Sequence, residues 1–425
     1  MQESLKSRLI IHQILKELKN SNKYFDDIFE KKTKNKNFSD RDKKLIYTVT
    51  LNSMRNQYYV NKIIEIFCKK NITLSDSYFL LLSGITQLII LNFKDFAVIN
   101  STVELTKIKE ISSSTKFING VLRSINRNKN NLPKIEVNFS KLPLWFRKKV
   151  FWSKNQKQEF LKTITREPDL HLVYKNKNYI KNINCDFVKT TNYSLVIKNK
   201  IKIKDISGYK DGHWWIQDFA AMMPIHLSKN LKDKKVADLC AAPGGKSFQL
   251  ITKKANVTAF EIDKDRSKIL INNLKRLKLN CNIVTKDILK LSGLKKFDII
   301  ILDAPCSSIG TIRRNPEILF RKKSPKFNEI ALIQNNLLNK AKELLNSDGL
   351  LIYMVCSFFH DEGAKIINNF LMENRNFSIK KILNNNSNKK NAFIDENGFY
   401  YVLPKKLKNG VLIDGFFAAK LKKND

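Results

Sequence analysis

Apolar side chains recur at three- and four-residue spacing through residues 5–18, 42–67, 77–91 and 100–111, and Gly and Pro are nearly absent there. That period is one face of an α-helix, and it predicts an all-helical region over residues 1–130. The polar stretch 31–37 reads as a loop. The serines at 112–114 offer an N-cap for a further helix over 115–126. Residues 126–134 are polar, include Pro133, and form the best candidate linker. The pattern over 135–210 is mixed, with a helical piece at 144–153 and strand-like alternation at 193–206.

From Asp211 onward, apolar runs at 236–239, 257–260, 299–302 and 350–355 alternate with helical stretches. A buried parallel sheet flanked by helices produces that rhythm, so residues 211–425 are expected to form a Rossmann-like α/β domain. Residues 135–210 then form a small mixed α/β region between it and the helices. The Asn/Lys-rich stretch 384–391 reads as a surface loop.

Charge sharpens the picture. Lys and Arg number 78 against 39 Asp and Glu, a formal charge of +39. Such a surplus favours polyanions: RNA, DNA or an acidic membrane. Lys greatly outnumbers Arg and Asn and Ile abound, so codon-driven drift accounts for part of it. The six cysteines, Cys68, Cys185, Cys240, Cys281, Cys306 and Cys356, contain no C-x-x-C pair, which argues against a zinc site or a disulfide framework. No metal is expected. The N-terminus lacks a signal peptide, and the longest apolar run, at 78–91, is too short for a bilayer, so no membrane partner and a reducing cytoplasm are expected.

Three constellations carry chemistry. At 237–246 the chain reads Ala-Asp-Leu-Cys-Ala-Ala-Pro-Gly-Gly-Lys, a strand entering a Gly-rich turn and then a helix over 247–254. Glycines let the backbone approach a ligand, and the helix start offers free N–H groups. The spacing is neither the dinucleotide G-x-G-x-x-G nor a phosphate-binding G-x-x-x-x-G-K-[ST], which argues against a nicotinamide-dependent dehydrogenase. Glu261 ends the next strand, and Asp287 follows a third strand at 283–285. Each alone reads as a solvated strand-end acid; together they outline a nucleoside pocket. The second constellation, at 298–308, ends its strand in Asp303-Ala-Pro-Cys306-Ser-Ser. The third, at 350–357, ends in Val355-Cys356-Ser357. A lone buried Cys is usually a small hydrophobe, but two at the ends of adjacent strands are harder to set aside.

Residues 241–246, 303–307 and the pair Cys356-Ser357 resemble the motifs of the RNA cytosine-5 methyltransferases of the nucleolar-protein/Sun group, most closely its bacterial Sun/Fmu (RsmB-type) 16S ribosomal RNA branch. The likeness runs through Thr-Ile-Arg-Arg-Asn-Pro at 311–316 to Asp-Gly-Phe-Phe-Ala-Ala-Lys-Leu at 414–421. The helical N-terminus resembles that branch's NusB-type RNA-binding domain at 40–42, 103–107 and 116–123. The resemblance implies a class I methyltransferase domain, S-adenosylmethionine as methyl donor, and carbon 5 of a 16S rRNA cytosine as acceptor. The RNA would be free or partly assembled, and the protein a monomer. It assigns attack on carbon 6 to Cys356, ring contact to Asp303 and release to Cys306. It places Cys240, Ala241, Ala242, Pro243, Gly244, Gly245, Lys246, Glu261, Asp287 and Asp303 around the methyl donor. Lys246, Arg313 and Arg314 are candidates for phosphates. The alternatives are a tRNA or another rRNA site, or a non-catalytic RNA-binding assembly factor.

The chain departs from the pattern in places. The usual Thr-Cys-Ser reads Val355-Cys356-Ser357, Gly363 follows Glu362 where Asn is usual, a usual Arg-Val-Asn strand reads Leu172-Val173-Tyr174-Lys175, and Phe320 replaces a Trp. Val355 offers no hydroxyl to a neighbouring thiolate, so Cys356 is expected to titrate near the free-thiol value of about 8.5.

Overall fold

The amphipathic repeats at the N-terminus become helices at Glu3–Asn20, Phe25–Thr33, Asp40–Arg55, Gln57–Phe67, Asp76–Ile85, Asp95–Leu105, Thr115–Arg127, Leu144–Arg147 and Lys154–Ile164 in the computed structural model. It describes residues 3–34, 38–68, 72, 74–133, 137–382 and 393–425, so the expected loop at 384–391 lies outside the described residues. The chain divides into two compact units: residues 1–166 with 312–325, and residues 167–311 with 326–425. The expected middle region 135–210 is therefore shared out, its helices in the first unit and its strands in the second.

In the first unit the apolar faces meet in one core, where Ile11, Ile14, Ile46, Val49, Phe79, Leu82 and Leu122 are fully buried. Hydroxyl caps set several helix starts. Ser39, Ser75 and Ser114 each accept a backbone N–H three residues on, and Ser153 forms a capping box with Gln156. The expected single helix over 42–67 breaks at Asn56. There the backbone leaves helical values, at φ −101° and ψ 14°, while Asn56 N–H keeps its bond to Asn52 O and the side-chain amide donates to the same carbonyl. The stretch expected as a loop at 31–37 begins inside a helix, because Phe25 and Ile28 bury one face of Phe25–Thr33. The helical piece expected at 144–153 ends at Arg147, and Lys154–Ile164 was not foreseen.

Residues 312–325 belong to this unit although the chain on both sides of them belongs to the second. Ile318 and Phe320 are buried there, Phe25 N–H donates to Glu317 Oε1 at 3.2 Å, and Arg55 donates to Arg313 O at 2.9 Å. Arg313 itself is fully buried. The expectation that it holds a phosphate is thus corrected: its guanidinium is enclosed by protein.

The second unit begins with β1 (Leu170–Tyr174), β2 (Phe187–Thr191), β3 (Ser194–Ile197) and β4 (Trp214–Ile216), an antiparallel sheet in the order β2-β3-β1-β4. The strand-like reading of 193–206 holds only as far as Ile197, and Ile203–Asp205 is a 3-10 turn. The larger sheet contains β5 (Lys235–Leu239), β6 (Asn256–Phe260), β7 (Asn282–Val284), β8 (Phe297–Asp303), β9 (Leu345–Val355), β10 (Phe377–Ile379) and β11 (Tyr400–Val402). A ribbon of β12 (Lys405–Lys406) and β13 (Leu412–Ile413) precedes the last strand of the large sheet, β14 (Phe416–Lys423). The large sheet runs β10-β14-β9-β8-β5-β6-β7, with β11 on β14. Strands β5 to β9 are parallel, whereas β14 runs against β9, β10 and β11.

Alternation along the central strands serves two cores. Ile299, Ile301, Ile352 and Met354 face one, while Ile300, Leu302, Leu351 and Tyr353 face the other. Both sides are covered, which is why these strands read as continuous apolar runs. Strand order reverses between β5 and β8, and the crevice at the carboxyl ends there is where such folds bind ligands.

Candidate active site

Parallel pairing brings the residues after β5, β6, β7, β8 and β9 to one edge of the sheet. After β5 the backbone turns sharply. Cys240 has φ +63°, and Gly244 has φ +117° and precedes the helix Gly245–Thr252. A Cβ on Gly244 would stand 2.2 Å from the Phe248 ring, so glycine is required there by space as well as by φ. Glu261 fixes the turn. It is 2% exposed, and its carboxylate accepts Ala242 N–H at 3.2 Å and Asp263 N–H at 3.1 Å. Arg266 donates to Ala242 O at 2.6 Å, and Asn273 to Pro243 O at 3.1 Å.

Lys246 points back to β8, with Nζ 2.5 Å from Asp303 Oδ2. Burial works against its charge, yet Asp303 more than offsets that and holds the ammonium above its ordinary value. Below the turn, Asp238 is fully buried, accepts the Ser247 hydroxyl, and is pushed up to about 7 by burial. Cys240 is likewise pushed up to about 12, first by burial and then by the charges of Asp303 and Glu261, so its thiol is inert. Asp287 lies on the same edge one strand further out and caps a short turn by accepting Leu289 N–H at 3.0 Å.

The two strand-end cysteines come together: Cys306 Sγ and Cys356 Sγ are 3.2 Å apart, both as free thiols. They are electrostatically unequal. The Cys306 S–H hydrogen bond draws Cys356 below its ordinary value against the cost of burial, with help from Ser308 and Lys246. The same bond, with burial and the Glu362 charge, drives Cys306 well above its own. Ser308 Oγ lies 3.6 Å from Cys356 Sγ. Cys306 and Ser308 supply Cys356 with interactions that Val355 cannot.

One carboxylate holds both cysteine loops. Glu362, 1% exposed, accepts Ser307 N–H and Oγ–H, and also Ser357 Oγ–H, each at 2.6 Å. Ser307 follows Cys306 and Ser357 follows Cys356. Gly310 closes the assembly: its N–H donates to Cys356 O at 3.0 Å, and a Cβ there would stand 2.0 Å from Gly415 O.

Comparison with known proteins identifies this edge. Residues 225–422 match the family model of the 16S rRNA methyltransferase RsmB/F, and residues 5–127 match the NusB family. Residues 225–422 are an RsmB/F methyltransferase domain. Ribosomal RNA small subunit methyltransferase B of Photorhabdus laumondii subsp. laumondii is 27% identical over 91% of this chain and 92% of its own length. The protein of that name from Serratia proteamaculans is 27% identical over 79% of this chain and 83% of its own. In fold, the chain is similar to the crystal structure of PH0851 (TM-score 0.67, 21% identity, 94% of both chains). It is also similar to NSun6 from Pyrococcus horikoshii with SFG (TM-score 0.55, 17% identity, 67% of this chain and 98% of that one).

With an RsmB/F methyltransferase domain the chain uses S-adenosylmethionine, and its residues fit that donor. A Gly-rich turn opens onto a helix start, and the carboxyl groups of Glu261 and Asp303 follow the strands on either side of β5. Of the residues named from sequence, the structure joins Ala242 to Glu261, Lys246 to Asp303, and Cys306 to Cys356. It does not join Asp287 to them by any contact among the described residues. Lys246 faces a carboxylate, which corrects its reading as a phosphate holder. Glu362 was named from sequence only as the residue before the Gly363 departure, with no role given to it. The repeated Cys-Ser at 306–307 and 356–357 is the signal that could have found it, since two serines placed alike call for a shared acceptor.

Proposed function

We propose that this RsmB/F enzyme methylates carbon 5 of a cytosine in 16S rRNA through a covalent bond from Cys356. The observation that carries the reading is the unequal cysteine pair. S-adenosylmethionine supplies an electrophilic methyl on its sulfonium. Carbon 5 of cytosine is a poor nucleophile until a thiolate adds to carbon 6. Cys356, drawn down by Cys306, Ser308 and Lys246, is the sulfur prepared for that addition. Its electron pair forms the S–C6 bond, and the C5–C6 π pair is displaced so that carbon 5 becomes enamine-like. Asp303, held by Lys246, meets the ring.

Cys306 begins as a thiol because a Cys356 thiolate faces it. Once Cys356 has become a thioether that opposing charge is gone, and Cys306 passes its proton to solvent water more readily, leaving a thiolate that can act as a base. It can then take the proton from methylated carbon 5 while the C6–S bond breaks and the thiolate leaves. The order of events is thus built into the pair. Glu261 and the backbone of residues 240–245 hold the methyl donor, with Asp287 at its margin. The first unit, matching NusB, grips the RNA, and the target base leaves its stack to enter the site. The expected setting is a cytoplasmic monomer acting on free or partly assembled rRNA.

Bisulfite mapping of 16S rRNA from cells with and without the gene tests the reading. One protected cytosine that disappears on deletion is the expected result; an unchanged 16S map, or a lost site in tRNA, overturns the assignment.

A further inference from the structure

A groove of about 630 Å3 opens in the first unit, between the helices, the segment around residues 137–145 and the returning stretch 319–322. That is within the roughly 300–1,000 Å3 range of clefts that hold small ligands. Its apolar wall includes Trp145 and Leu144, the latter 56% exposed. Tyr58 also lines it.

The charge in the groove is unbalanced. Lys62 and Lys141 share one carboxylate, Glu65, at 3.0 and 3.8 Å. Lys322 is exposed at the edge. Lys19 is the informative one. Its Nζ lies 4.4 Å from the centroid of the Phe320 ring, no carboxylate pairs with it among the described residues, and burial pulls it down to about 8. A half-buried ammonium with only a ring face for company is poorly compensated, and an anion entering the groove would correct that.

We propose that this groove holds a nucleotide of a single-stranded stretch of the substrate RNA, with the phosphate at Lys19 and Lys322 and the base against Trp145. The inference rests on the chain's being an rRNA methyltransferase. An acidic peptide would satisfy the lysines but make no use of the aromatic wall, whereas a base stacks on an aromatic ring irrespective of sequence. The groove is a holding point for RNA, separate from the cysteine site and without a part in its chemistry.

The test compares the full-length protein with Lys19→Gln, Lys322→Gln and Trp145→Ala, using a 16S rRNA transcript. RNA affinity is read by filter binding without methylation, so an error in the target carbon or cytosine leaves the test intact. Each variant should weaken RNA binding at least about fivefold for the ring and less for one lysine. Each lysine variant should lower the slope of log K against log salt by about one. S-adenosylmethionine affinity and kcat at saturating RNA should be unchanged. Lys322→Gln alters an exposed side chain and guards against a folding artefact at Lys19. Unchanged RNA affinity and salt slope in Lys322→Gln and in folded Trp145→Ala would overturn the proposal, as would polyglutamate that binds through Lys19 and Lys322 without displacing RNA.

Discussion

Cys306 Sγ stands 3.2 Å from Cys356 Sγ, and the contact pushes the two in opposite directions, Cys356 down and Cys306 up. Removing either sulfur should therefore give different chemistry. Cys306→Ala should attack RNA and transfer methyl but fail to release, leaving a protein–RNA adduct on denaturing gels. Cys356→Ala should form no adduct and no product. An adduct from Cys356→Ala alone would reverse the roles, and methylation by both variants would eliminate covalent catalysis by these thiols.

Ser308 and Cys306 together set where Cys356 ionises, and the direction is downward. The single-turnover rate should rise with pH through a midpoint below the usual thiol value of about 8.5. Ser308→Ala should move that midpoint to higher pH by a fraction of a unit, with little change in the plateau. A midpoint unmoved in Ser308→Ala would remove the hydroxyl from the account.

Glu362 accepts from both cysteine loops while fully enclosed. Glu362→Ala strands three donors, each a hydrogen bond to a charged group worth about 1.5–3 kcal/mol. A folded but destabilised protein with slow adduct formation is expected. Glu362→Gln keeps an acceptor and should recover most of the stability in urea denaturation. Wild-type stability in Glu362→Ala would show that the serines find other partners.

Asp238 gives a stability signature in pH. Its folded value is raised from 3.8 to about 7, so the folded state holds a proton that the unfolded chain has released. The stabilising contribution is complete below 3.8, falls as pH rises, and is spent above about 7. Asp238→Asn keeps an acceptor for Ser247 without the charge. Its stability relative to wild type should therefore improve across pH 4 to 7 by a few kcal/mol and then level off. Parallel denaturation curves at pH 5 and 8 would contradict this.

Deleting residues 1–130 should be costly beyond any loss of RNA affinity. Ile318 and Phe320 are buried with the N-terminal helices, and exposing such side chains costs about 1.5–3 kcal/mol each. Reduced solubility and dye binding to exposed apolar surface are expected. A truncated protein with the melting temperature of the full chain would show that 312–325 is covered in another way.

Local patterns made much of this protein legible. Alternating and helical periods marked five of the central strands and most N-terminal helices, because each element must bury one face or both wherever it sits. The Gly-rich turn was legible because few residues tolerate the backbone of Gly244, and the cysteines because they end strands that run parallel. Other features depend on partners distant in sequence. Nothing near Asn56 announces the helix break there. Nothing in 312–325 shows that it leaves the sheet to pack on helices some 300 residues earlier, burying Arg313 and Glu317. Glu362 had no role in the sequence reading until folding set two serines on its carboxylate. The difference between Cys306 and Cys356 belongs to tertiary structure alone: in sequence they are two Cys-Ser pairs, and only a 3.2 Å approach beneath Asp303, Lys246 and Glu362 decides which sulfur keeps the proton.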